Sequence, residues 1–110
     1  MSDLVARVLA VVERIPAGRV LSYGDVAELA SAPTPRDVGQ VLQRHGSGVP
    51  WWRVLRADGT AAPHLRDEQL ARLRAEGTPM TPFGGDAVDL RRARWTTATG
   101  GSDTQTSLFD

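Results

Sequence analysis

Apolar residues recur at three- and four-residue spacing through the first fifteen positions: Leu4, Val5, Val8, Leu9, Val12 and Ile15. That period lays them on one face of a helix. It predicts a helix over 3–14, with Ser2 or Asp3 as N-cap and Pro16-Ala17-Gly18 as the stop. Arg19–Leu21 reads as a short extended piece. Ser22, with Asp25 three residues on, has capping-box spacing. It starts a second helix to about Ser31, with Val26, Ala27, Leu29 and Ala30 for its apolar side. After an Ala32–Pro33 turn, Thr34-Pro35-Arg36-Asp37 caps a third helix, with proline at the first helical position. This helix runs to about His45, presents Val38, Val41 and Leu42, and stops at Gly46. Two short helices across a tight turn make a candidate helix-turn-helix.

The second half is less periodic. Trp52–Arg56 predicts a strand, and Ala57-Asp58-Gly59 a turn. Residues 66–76 predict a helix with Leu70 and Leu73 inward and Gly77 as its stop. Thr78 to Gly85 is rich in proline and glycine, and 86–95 reads as a short strand or turn that packs Val88, Leu90 and Trp95 on the domain. The last fifteen residues are polar almost to the end and read as a disordered tail. The chain thus divides into a domain over 1–95 and a tail over 96–110, without internal repeats. The fold expected is a small α/β-class domain, mostly helical: a winged-helix-like helix-turn-helix core with a minor two-stranded element.

Composition removes several chemistries. The 110 residues contain no cysteine, so disulfides, thiolate metal sites and a cysteine nucleophile are excluded within them. Two histidines, His45 and His64, give no zinc-ligand spacing. No metal and no cofactor is expected, and no paired carboxylates or Ser/His/Asp order supports an enzyme. No apolar run reaches membrane-spanning length. The charged residues within the N-terminal apolar stretch argue against a signal peptide, so the expected location is cytoplasmic. Net charge is zero, unlike a nonspecific nucleic-acid binder, yet all 13 basic residues are arginine. Arginine forks phosphate and stacks on bases better than lysine does.

Three segments in order, IPAGRVLSYGDVAELA, PRDVGQVLQ and VPWWRVLRADGT, resemble the DNA-binding domain of O6-alkylguanine-DNA alkyltransferases. The resemblance covers roughly 3–60. It extends to about Trp95 for the alkyltransferase-like members, in which tryptophan replaces the reactive cysteine. Here that position is Trp51, and the position of the thiol-activating histidine is Trp52. Dealkylation needs a thiolate to attack the alkyl carbon. An indole cannot substitute, so the resemblance implies lesion binding without repair chemistry.

The resemblance also assigns roles by position. Tyr23 matches the tyrosine that crowds the phosphate 3′ to the lesion and helps rotate the nucleotide out. Arg36 matches the arginine finger that enters the stack. Val38 and Gly39 follow it toward the DNA; a mid-helix glycine costs about 0.5–1 kcal/mol, which close approach of DNA or of another helix would explain. Trp51 lines the pocket for the flipped base, Arg53 holds the loop or a phosphate, and His64 and Arg66 stand near the place of a lesion-sensing arginine. Trp52 is expected on the opposite side from Trp51, in the core, by strand alternation.

The function implied is recognition of O6-alkylguanine in duplex DNA by a monomer that flips the base and hands the site to nucleotide excision repair. The alternative is a winged-helix transcription regulator reading undamaged DNA. In the tail, Gln105-Thr106-Ser107-Leu108-Phe109 resembles the peptide by which bacterial repair proteins dock on the replication sliding clamp, with Gln105, Leu108 and Phe109 as anchors.

Overall fold

The computed structural model describes residues 2–82 and 86–96. Helix α1 (Asp3–Arg14) starts at Ser2, whose side chain accepts from the Val5 amide. Strand β1 (Leu21–Ser22) leads directly into α2 (Tyr23–Ala30), and α3 (Pro35–His45) follows. Both expected capping boxes are present: Ser22 with Asp25, and Thr34 with Asp37. They satisfy orphan amides at the helix starts and so fix where each helix begins. Strand β2 (Val54–Leu55), helix α4 (Arg66–Ala75) and the single-turn α5 (Leu90–Ala93) complete the fold.

The two strands pair in parallel, Leu21 with Val54 and Ser22 with Leu55. Alternation then divides the interior. Leu21 and Val54 face a core built from α1, α2 and α3, including Val8, Val12, Ile15, Val26, Val38 and Val41. Val20 and Leu55 face a second core with Ala61, Leu73, Val88 and Ala93. The architecture is the expected mostly helical domain with a minor two-stranded element.

Several local expectations change. The strand over Trp52–Arg56 shrinks to Val54–Leu55, because Trp51–Arg53 forms a 3-10 turn. Pro50 precedes that turn and has no amide hydrogen for a ladder. Leu29 is 46% exposed and lies off the core face. Gly46 ends α3 with φ −84° and so is not a left-handed cap. A Cβ there would stand 3.3 Å from Leu42 Cδ2 and 3.7 Å from Trp51 Cβ, so close packing is what favours glycine. Residues 86–95 form α5 between two isolated bridges, Met80 with Val88 and Val20 with Arg94.

Gly59 accepts from the Val88 amide at 2.9 Å and so ties the turn after β2 to the second core. Its φ is +85°, and a Cβ would lie 2.4 Å from the Val88 carbonyl oxygen. Gly77 has φ +75° with nothing within 4 Å of a Cβ. Gly59→Ala is therefore expected to lower unfolding free energy by about 2–3 kcal/mol, from strain plus collision. Gly77→Ala, with strain alone, should cost about 1 kcal/mol. Chemical denaturation of both variants checks the difference.

Candidate nucleic-acid interface

Tyr23 is the first residue of α2, set immediately after the Ser22 cap. It is half-buried. Burial pushes its hydroxyl above the ordinary tyrosine value, and the Arg56 guanidinium partly opposes that. The phenol therefore stays protonated at neutral pH and can donate a hydrogen bond. Its ring faces the open side of α3: a Cβ on Gly39 would lie 4.0 Å from Tyr23 Cε1.

Between them opens a cleft of about 730 Å³, within the ~300–1,000 Å³ range of ligand sites. Helix α3 supplies one wall through Pro35, Arg36, Gly39, Gln40, Leu42 and Gln43. Gly46, Ser47 and Trp51 continue it. Arg56, Ala62, His64 and Leu65 close the other side. The lining combines two guanidiniums, an imidazole, an indole and a phenol, with no carboxylate among the described residues.

Trp51 is held in place from behind. Arg53 donates from Nη1 to the Ile15 carbonyl (2.8 Å) and from Nε to Glu76 Oε1 (3.0 Å), and its Nη2 also bonds Glu76 Oε2. Trp52 Nε1 donates to the same Glu76 Oε2 (3.1 Å). Gln69 Nε2 donates to the Trp52 and Val54 carbonyls at 3.0 and 2.7 Å. The two indoles meet edge to face, with centroids 5.9 Å apart and planes at 86°. The Arg72 guanidinium lies 4.6 Å from the Trp52 centroid and 5.9 Å from that of Trp51. Cation–π contact and hydrogen bonds together fix the turn that carries Trp51.

Of the residues singled out from sequence, Tyr23, Arg36, Gly39, Trp51 and His64 converge on the cleft. Three others do not. Val38 is fully buried in the core, because one residue along a helix turns the side chain by about 100° from Gly39. Its side chain is part of the core and not of the cleft surface. Arg53 is spent on Ile15 and Glu76, with only 15% of its side chain exposed, and so holds the loop. Arg66 pairs with Asp86 at 3.0 Å and lies outside the cleft lining. Trp52 packs against the second core, as expected, although the 3-10 turn and not strand alternation puts it there. Arg56 is the residue that sequence reasoning missed. Its signal was the strand pairing: one step beyond Ser22 opposite Leu55 sets Arg56 beside Tyr23. Gln105, Leu108 and Phe109 lie outside the described residues.

The chain matches the family model described as "6-O-methylguanine DNA methyltransferase, DNA binding domain" over residues 3–78. It belongs to that family. Within it, the chain is 44% identical over 95 residues to the Escherichia coli "DNA base-flipping protein", covering 81% of this chain and 71% of that one. It is 31% identical to the Schizosaccharomyces pombe "Alkyltransferase-like protein 1", covering 86% and 96%. A crystal structure of that yeast protein "in complex with damaged DNA containing O6-carboxymethylguanine" superposes with a TM-score of 0.75 at 28% identity, covering 87% and 97% of the chains. The chain is also 30% identical to a Picrophilus torridus "Bifunctional methyltransferase/endonuclease", over 84% of this chain but only 32% of that protein. Fold and family membership thus follow the alkyltransferase-like members, and no helix among the described residues is long and apolar enough to cross a membrane.

The Arg53 hydrogen bonds hold the Glu76 carboxyl below the ordinary glutamate range, against the opposing effect of its partial burial. A carboxyl that binds its proton less tightly when folded stabilises the fold above its unfolded pKa, about 4.3. That stabilisation disappears as pH falls through the lower folded value. Glu76→Gln should therefore be less stable than wild type at pH 7 and should lose less stability on acidification. Denaturant melts at pH 7 and at about pH 3, below the unfolded glutamate value, read this directly.

Proposed function

We propose that this protein binds O6-alkylguanine in duplex DNA, without repairing it, by accepting the flipped base in the cleft against Trp51. The observation that carries this reading is the position of Trp51. It lies in the wall of an open cleft beside the helix-turn-helix pair, where the family resemblance puts the alkyl-accepting thiol, and the 110 residues hold no cysteine to replace it. A self-alkylating transfer has no nucleophile of the required kind here. Support comes from relatives named for base flipping and from the similar fold solved with damaged DNA.

The parts divide the work by position. Arg36 stands exposed in the first turn of α3, at the cleft edge, where it can enter the stack vacated by the flipped nucleotide. Tyr23 offers a neutral hydroxyl beside it. Flipping costs a few kcal/mol of unstacking, and an indole face plus an inserted guanidinium are contacts able to offset it. Nothing inside the protein demands glycine at 39, since a Cβ there would make only ordinary contact. Close approach of the DNA backbone supplies the reason. A transcription regulator would lead with a protruding recognition helix, whereas here the open face of α3 is one wall of a concavity.

The finer readings follow from this role. The protein acts as a monomer on one lesion and passes it to nucleotide excision repair, and the Gln105–Phe109 peptide docks on the sliding clamp. Access to chromosomal DNA fits a cytoplasmic location.

Two duplexes differing by one O6-methylguanine test the reading. Wild type should prefer the lesion tenfold or more, about 1.4 kcal/mol, and the methyl group should survive the incubation. Trp51→Ala should lose most of that preference. Equal affinity for both duplexes, or recovery of plain guanine, would overturn the proposal. Gly39→Ala should behave oppositely in two assays: more heat-stable, by about 0.5–1 kcal/mol, and weaker on lesion DNA.

A further inference from the structure

The cleft carries cations on two sides. Arg36 comes from α3, and Arg56 and His64 come from the chain after β2 begins, with no carboxylate in the described lining. Arg36 has an evident place in the stack under the reading above. Arg56 does not. It follows the buried Leu55 at the end of β2 and is exposed; its backbone bonds Thr60 and Gly59 across the turn, but its guanidinium forms no hydrogen bond or ion pair among the described residues. A carboxylate that feels it is Asp58. That carboxylate already accepts from the Thr60 amide at 3.0 Å and the Thr60 hydroxyl at 2.6 Å. The guanidinium also acts on the Tyr23 hydroxyl within the cleft. A guanidinium placed this way has five donors and no acceptor committed to them.

We infer that Arg56 is a specificity-determining residue that selects O6-substituents bearing an anionic group, such as a carboxymethyl, over neutral substituents of the same size. This rests on the cleft being the site of the flipped alkylguanine. Arg56 lines the same cleft as His64 and Leu65, from a segment separate from α3, and an O6-substituent that projects past the base can reach it. A carboxylate is ionised at neutral pH, matches the planar fork of a guanidinium, and meets no like charge in the lining. The gain is modest because the site is open to solvent, about fivefold in affinity on the scale of exposed ion pairs.

The test compares four duplexes identical except for one base: guanine, O6-methylguanine, O6-carboxymethylguanine and its neutral isostere, O6-carbamoylmethylguanine. Wild type, Arg56→Gln and Arg56→Lys are titrated with each at low salt. The expected result is a carboxymethyl-to-carbamoylmethyl affinity ratio of about 5 in wild type. That ratio should fall to about 1 in Arg56→Gln and be largely kept in Arg56→Lys. A wild-type ratio near 1, with methylguanine still preferred over guanine, overturns the role of Arg56 and leaves the lesion reading standing. So does an Arg56→Gln variant that weakens all four duplexes equally, which marks a backbone phosphate contact. So does one that keeps the ratio, which assigns the selection to Arg36 or His64. Loss of any preference for methylguanine over guanine in wild type is the distinct failure of the lesion reading itself.

Discussion

Four residues in parallel register organise the molecule. Pairing Leu21–Ser22 with Val54–Leu55 brings together segments more than thirty positions apart. It does so in the one orientation that sends both chains toward the same edge. Tyr23 leaves β1 at that edge as the first residue of a helix, and Arg56 leaves β2 beside it. The alternation of those few side chains also separates the two cores. A two-residue sheet is too short to be stable alone. Its persistence depends on burial on both faces, so the cleft edge is only as well placed as the packing beneath it.

A second constraint acts at the other side of the cleft, where the chain must present Trp51 from an irregular turn. Irregular backbone next to a binding surface leaves polar groups to satisfy. Here a single guanidinium, Arg53, reaches the end of α1 and the end of α4 at once. A lysine would offer one point of charge and lose the fork geometry. Gln69 completes the arrangement by bonding two carbonyls of the turn region from the interior. Its own Oε1 has no partner among the described residues. The turn is thus held through bonds that face inward, which leaves the outward face of Trp51 free of structural duty.

What could be read from sequence follows the range of the forces involved. Helix starts were legible because a cap and its partner lie three residues apart, as in Ser22–Asp25 and Thr34–Asp37. The core sides of α1 and α3 were legible because burial repeats every turn. The extent of β2 was not, since Trp52 and Arg53 run straight into the apolar Val54–Leu55 pair, and the turn they form is set by distant partners at α4. The same distance hid the fates of Arg53 and Arg66, each fixed by an acid 20 or more residues away. Val38 and Gly39 show the limit at finest grain. A motif placed both at the DNA, but the helical rotation separates a core residue from a surface one. Arg56 was invisible for a reason of topology: only a parallel pairing sets it beside Tyr23.

The indole of Trp52 constrains how this protein can change. It occupies the position that the resemblance gives to a thiol-activating histidine, and its nitrogen is committed to Glu76. Putting a cysteine at 51 would supply a sulfur but no base. Putting a histidine at 52 as well would withdraw a bond from the Arg53–Glu76 cluster that holds the turn. The path from sensor back to transferase therefore ends in a chain that has lost one bond of the turn's support. Replacement of the nucleophile becomes, through its neighbour, an evolutionary ratchet.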